Sequence, residues 1–200
     1  MIISPKYKFI SFSTMKTGSS SVNEKLSEIN DPDIKIFKYD KTGRHIPDNC
    51  NKKYFKHTSC NELTEKHYDD YFKFAFVRNP WDRVVSWFGF GKKVHRDDLN
   101  IKNETFDNFI LNKSKSHRWG GDNQHQHNFT NCCDFIGRFE NLQEDFNTIC
   151  GKIGIPQQKL PHQNKSKHKY YTEYYDEKTK QIVAEVFAKD IEHFGYKFGE

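Results

Sequence analysis

The sequence predicts an α/β fold, a central parallel sheet flanked by helices, and three observations carry that reading. Residues 8–14, KFISFST, alternate apolar and polar like a strand, and the segment from Gly18 to about Ile29 then has helical spacing. Residues 71–77, YFKFAFV, form the clearest buried strand, and Asn79-Pro80 follows at once as an N-cap and first-turn proline would. Strands and helices go on alternating along the chain, the pattern of a parallel sheet covered on its faces.

The remaining elements follow from the same rules. IKIFKY at 34–39 reads as a strand ended by the turn-like DKTGR, and a short helix is expected around CNELTEKHY. Beyond Pro80, the residues Trp81, Val84, Val85 and Phe88 fall at helical spacing, and Trp81 and Trp87 are expected in the core. Further helices are expected near 104–113, 139–150 and, as one long piece, 172–193, with a strand at 134–138 within DFIGRF. HQNKSKHKYY at 162–171 reads as a loop. With no internal repeat or low-complexity linker, a single domain spanning 1–200 is expected.

Composition narrows the functional classes. Eighteen Phe and ten Tyr supply bulky apolar surface, so a mean hydropathy of -0.95 points to a charged exterior rather than disorder. The formal charge of +5 is compatible with an anionic ligand, but no basic cluster is dense enough for a nucleic-acid surface. Neither a membrane span nor a signal-peptide pattern is read, so a soluble, cytoplasmic protein is expected. Five cysteines without framework spacing are expected to be reduced thiols.

Two strand-to-helix junctions carry the chemistry, because ligands of open α/β sheets sit at the carboxyl ends of the strands. The first is Lys16-Thr17-Gly18-Ser19-Ser20-Ser21, which places a lysine, a glycine and four hydroxyls before a helix. Such groups cap a helix or hold an anion, and Ser21 with Glu24 also spells a capping box. It is not a Walker A loop, whose lysine follows its glycines. The second junction is FAFVRNPWDRVVSWF, where Arg78 leaves a buried strand and Ser86 lies two turns into the next helix. The pair closes on one phosphate only if the arginine side chain lies back along a helix that runs ~9 Å from Pro80 to Ser86.

Taken together, KTGSSSV and FVRNPWDRVVS resemble the sulfotransferases that use 3'-phosphoadenosine 5'-phosphosulfate (PAPS), most of all the carbohydrate branch with its 2-O-sulfotransferase relatives. DFIGRFENLQEDF, LPHQNKS and the C-terminal YYTEYYDEKTKQIVAEVFAKDIEHFGYKF are similar to the later part of that branch. The resemblance implies a P-loop-nucleotide-hydrolase-like sulfotransferase fold. It also implies that Lys16, Thr17, Gly18, Ser19, Ser20 and Ser21 surround the 5'-phosphosulfate and that Arg78 and Ser86 hold the 3'-phosphate. Lys165, Ser166 and Lys167 are implied as late cofactor contacts, although His168 and Lys169 stand where relatives carry a glycine and an arginine.

Sulfuryl transfer, like phosphoryl transfer, is catalysed mostly by positioning and electrostatics. Lys16 suits charge building on the bridging oxygen, and a histidine suits removal of the acceptor proton. Among ten histidines, His57 in KYFKHTSCNEL resembles the residue that opens the corresponding segment of the carbohydrate enzymes, with His45 in TGRHIP as runner-up. The acceptor is expected to be a hydroxyl on a glycan or small molecule. HRWGGDNQHQH at 117–127 reads as acceptor lining or as an exposed polar loop. His125, His127, Cys132 and Cys133 lack the paired spacing of structural zinc sites, and no metal is called for. The rival readings are a P-loop-like nucleotide kinase, which needs a Walker A lysine and a magnesium carboxylate, and a non-catalytic nucleotide or nucleic-acid binder.

Overall fold

The computed structural model describes residues 1–39, 45–47, 56–63, 66–93, 103–114, 124–161 and 169–200. The chain divides into two units, each drawn from two stretches: Met1–Val77 with Asn128–Gln163, and Arg78–His127 with Asn164–Glu200.

The first unit holds the sheet. Its strands are β1 (Ile2–Ser4), β2 (Phe9–Phe12), β3 (Lys35–Tyr39), β4 (His45–Pro47), β5 (Phe72–Val77) and β6 (Phe135–Arg138), in the order β4-β3-β1-β2-β5-β6. The expected parallel arrangement is found for β2, β5 and β6, with Phe9 opposite Phe72 and Phe74 opposite Phe135. The sheet as a whole is mixed, because β1 pairs antiparallel with both β2 and β3. The reason is local: Pro5 opens a turn between Ser4 and Phe9, and Lys8 closes it in the left-handed region at φ 49°.

Two helices of this unit, α1 (Ser19–Ser27) and α4 (Leu142–Ile153), cover one face. Val22 and Leu26 of α1 and Phe146, Ile149 and Ile153 of α4 pack with Phe9, Phe74 and Phe76. Ile10, Phe12 and Ala75 point the other way, into a second cluster with Phe37, Cys60 and Tyr68. A sheet buried on both faces explains why FKFAFV is almost continuously apolar. Gly137 is dictated by β5: a Cβ there would lie 2.4 Å from the Phe76 ring.

The second unit is helical, with α2 (Pro80–Lys93), α3 (Phe106–Ser114), α5 (Glu177–Val186) and α6 (Ala188–Phe194). Trp81, Val84, Val85 and Phe88 face the core as the spacing predicts, meeting Phe106, Phe109, Val183 and Phe187, while Trp87 is partly buried against the same cluster. The long helix expected over 172–193 is interrupted. Asp176 accepts the Thr179 N–H at 2.7 Å and starts α5 there. At Phe187 the backbone leaves helical geometry (φ -109°, ψ 25°) with the ring fully buried, and α6 begins anew.

Cys60 and Cys132 form a disulfide, contrary to the expectation of reduced thiols, while Cys133 and Cys150 are free thiols. A bridge between residues 72 apart leaves no spacing signature, which is why composition missed it. Among the described residues, no helix is long and apolar enough to cross a membrane.

Candidate active site

The loop after β2 is locked from within. Thr14 donates its hydroxyl to the Phe76 carbonyl of β5, and Thr17 Oγ1 lies 2.7 Å from Thr14 Oγ1 and 3.1 Å from the Thr14 carbonyl. Both threonines are buried, so the Thr17 hydroxyl serves the loop's own geometry and only its backbone is left to serve a ligand. Between them Lys16 adopts φ 67°, and Gly18 follows at φ 79° as the N-cap of α1. The Ser21–Glu24 capping box does not form: Ser21 is already inside the first turn, and no side chain caps the helix among the described residues. The anion reading therefore gains over the capping one. The first hydrogen bond of α1 runs from the Ser21 N–H to the Gly18 carbonyl at 3.0 Å, so the Ser19 and Ser20 amides precede the intrahelical ladder, and the helix dipole adds positive character there.

Gly18 carries two constraints at once. Its φ strongly favours glycine, and a Cβ there would lie 2.7 Å from Leu142 Cδ2. Gly18→Ala is expected to destabilise the protein by about 1–2 kcal/mol from the left-handed backbone alone. In a chain of this size that is a fall of roughly 2–8 °C in Tm, to be read by thermal denaturation; an unchanged Tm would refute the assignment.

His57 lies in the same unit, half-buried, with Nδ1 against the Ser13 carbonyl, two residues before Met15 and three before Lys16. A carbonyl only accepts, so Nδ1 carries the proton and Nε2 keeps a lone pair. Burial lowers its pKa to about 4, helped by the charge of Lys56 and opposed by the hydrogen bond to Ser13. The ring is thus a neutral imidazole at pH 7, in the tautomer a general base requires. His45 starts β4 opposite Tyr39, at the outer edge of the sheet and three strands from β2, ~14 Å away at the usual strand spacing.

In the second unit, Arg78 is the residue after β5 and is buried, with Nε donating to Asp82 Oδ2 at 2.8 Å. The guanidinium therefore lies back along the first turn of α2, as the spacing demanded. Ser86 is half-buried one turn beyond Asp82 on the same helix face, so residues 78, 82 and 86 run along one line. Asn79 caps α2 by accepting the Trp81 N–H at 3.1 Å.

The sulfotransferase family matches residues 1–197 of the chain. The chain belongs to the sulfotransferase family. Within it, human carbohydrate sulfotransferase 9 is 31% identical over 151 residues, which is 60% of this chain and 33% of that protein. An uncharacterized protein of Archaeoglobus fulgidus is 31% identical over 99 residues, 49% of this chain and 80% of that one. Among solved structures, mouse sulfotransferase SULT7A1 complexed with PAP matches with a TM-score of 0.54 at 15% identity, over 94% of this chain and 85% of that one. At that identity the likeness speaks for the fold, which is that of a sulfotransferase.

In this sulfotransferase, Lys165, Ser166 and Lys167 lie outside the described residues, as do residues 117–123 of the expected acceptor lining. In the described part of that segment, Gln126 is the buried residue, while Gln124, His125 and His127 are half-buried. Gln126 is 1% exposed, its Oε1 accepting the Arg78 N–H at 2.8 Å and its Nε2 donating to the Arg78 carbonyl at 2.9 Å. Asp190 of α6, fully buried, accepts the Gln126 N–H at 2.8 Å, the His127 N–H at 3.0 Å and His127 Nδ1 at 2.7 Å. The Arg83 guanidinium lies 3.7 Å from Asp190 and donates to the Gln124 carbonyl.

His125, His127 and Asp190 do bring three ligand-type atoms within 4.8 Å of one another. The Asp190 oxygens are, however, already engaged by two backbone amides, an imidazole and a guanidinium, and a cation would have to displace Arg83. Cys132, counted with these histidines in the zinc pattern, is committed to the disulfide instead. Neither Gln126, Arg83 nor Asp190 stood out in the sequence. For Arg83 and Asp190 the signal was a charged residue at a core-facing helix position, visible only once the partner helix is known, and Gln126 left none.

Proposed function

We propose that the enzyme transfers a sulfuryl group from PAPS to a hydroxyl of a carbohydrate acceptor, with the Lys16–Ser21 turn taking the 5'-phosphosulfate and Arg78 with Ser86 taking the 3'-phosphate. The observation that carries this is the start of α1: a left-handed Gly18, no side-chain cap, and Lys16 just ahead of it. That donor set suits an anion with several peripheral oxygens. Within the sheet, β2 and β5 are neighbouring parallel strands, so their carboxyl ends lie at the same end of it.

PAPS supplies the sulfuryl group and, once it is transferred, departs as adenosine 3',5'-bisphosphate (PAP). On the protein side, Lys16 offsets the charge that builds on the bridging oxygen. His57 Nε2 accepts the proton of the acceptor hydroxyl while the new O–S bond forms and the bond to the 5'-phosphate breaks. The carbohydrate class of acceptor is supported by the likeness to carbohydrate sulfotransferase 9, which extends over a third of that protein.

Ligand-dependent thermal denaturation tests the reading. PAP without metal is expected to raise Tm, whereas ATP with Mg²⁺ and a short oligonucleotide are not. Arg78→Ala is expected to weaken PAP binding by about tenfold or more, the loss of a charge-assisted contact. Stabilisation by ATP with Mg²⁺ in place of PAP would return the kinase reading.

A further inference from the structure

We propose that Gln126 and Asp190 are positioning residues for Arg78, and so set the enzyme's preference for a 3'-phosphorylated nucleotide. The inference rests on the reading that Arg78 holds the 3'-phosphate.

Arg78 is where the β5 ladder ends. The last pairing of β5 with β6 is Val77 opposite Arg138, so the amide and carbonyl of Arg78 need another partner. Gln126 supplies both functions from one side chain, its carboxamide accepting from the N–H and donating to the C=O as a neighbouring strand would. The backbone of Arg78 is thereby clamped by Gln126, while the guanidinium is clamped by Asp82 at 2.8 Å. A residue held at its backbone and at its Nε has the direction of its guanidinium fixed, which is what recognition of a phosphate needs.

Gln126 is itself held from behind. Asp190 accepts the N–H of Gln126 and of His127, so the first turn of α6 fixes the chain on which the carboxamide is carried. Arg83, 2% exposed and 5.0 Å from the Phe187 ring, balances the buried carboxylate. Its pKa is lowered to about 10 by burial, with Asp190 opposing, so it stays charged at neutral pH. A buried polar network in which every member is paired transmits position rigidly, and loss of one member leaves the next unsatisfied.

The test compares PAP with adenosine 5'-monophosphate, which lacks the 3'-phosphate, by calorimetric titration of the full chain. Gln126→Leu is expected to weaken PAP about tenfold and leave the monophosphate unchanged, moving the affinity ratio toward that of Arg78→Ala. Gln126→Glu supplies a second variant. When protonated its carboxyl both donates and accepts, as the carboxamide does; when ionised it has no proton to give the Arg78 carbonyl, and burial raises the pH at which this happens. Its PAP-to-monophosphate ratio, measured against wild type at each pH, is therefore expected to fall as pH rises from about 5.5 to 8.

A folded Gln126→Leu protein with the wild-type ratio would overturn the proposal. If that variant does not fold, a Gln126→Glu ratio that tracks wild type across the pH range does the same. An unchanged ratio in Arg78→Ala would instead remove the 3'-phosphate reading itself, and this proposal with it. A fall in Arg78→Ala without one in either Gln126 variant would refute the positioning role alone.

Discussion

Lys16→Met is expected to lower kcat by about 10²–10³-fold while weakening PAP far less, because in the proposed function the lysine acts on charge that appears only as the donor bond breaks. The side chain starts from a backbone that most residues avoid, φ 67°, at a cost of about 1–2 kcal/mol. Such a conformation persists only where its surroundings over-determine it, and here they do. Thr14 is tied to the β5 carbonyl of Phe76, Thr17 is tied back to Thr14, and Gly18 starts α1, so Lys16 has little freedom left. Methionine keeps the stem and the same backbone strain, which makes Tm a fair control. Lys16→Arg is expected to recover only part of the rate, since a planar fork does not replace a point charge on a short lever. Single-turnover measurement with saturating PAPS separates the two quantities. A Lys16→Met enzyme within tenfold of wild-type kcat would remove the lysine from the chemistry.

What the sequence made legible was local. The alternation in KFISFST and the apolar run YFKFAFV announced β2 and β5, and Asn79-Pro80 announced the start of α2, because strand periodicity and cap chemistry act within a few residues. The Lys16 and Arg78 segments were legible for the same reason. Three-residue β1 was not, since IIS is too short to show a period, and with it went the antiparallel half of the sheet. The capping box at Ser21 misled because a left-handed glycine, Gly18, caps α1 three residues earlier. Asp190 and Gln126 were illegible in a deeper sense. A carboxylate is buried only if its partners arrive, and those partners come from the 124–127 segment and from α2, more than sixty residues away in sequence.

His57→Ala is expected to reduce kcat by about 10²–10⁴-fold, the usual contribution of a positioned base, and the titration of His57 gives the assignment a signature of its own. With its pKa lowered to about 4, the imidazole is already neutral well below pH 6, so kcat/KM is expected to lack the acidic limb near 6.5 that an ordinary histidine would give. Binding of the anionic donor near the Lys16 turn favours the protonated form, so the limb in kcat should lie at higher pH than the limb in kcat/KM. Stability carries the same group with a fixed sign. The folded pKa is below the unfolded value of 6.5, so the unfolded chain takes up the proton first and stability is lost as pH falls from 6.5 toward 4. The loss is on the order of 2 kcal/mol by pH 5, and His57→Gln should flatten that part of the curve. Denaturant unfolding between pH 4.5 and 7.5 reads the stability, and pH–rate profiles read the chemistry. An acidic limb near 6.5 that survives in His57→Gln, with stability equally pH-dependent in both proteins, would assign the base to another side chain.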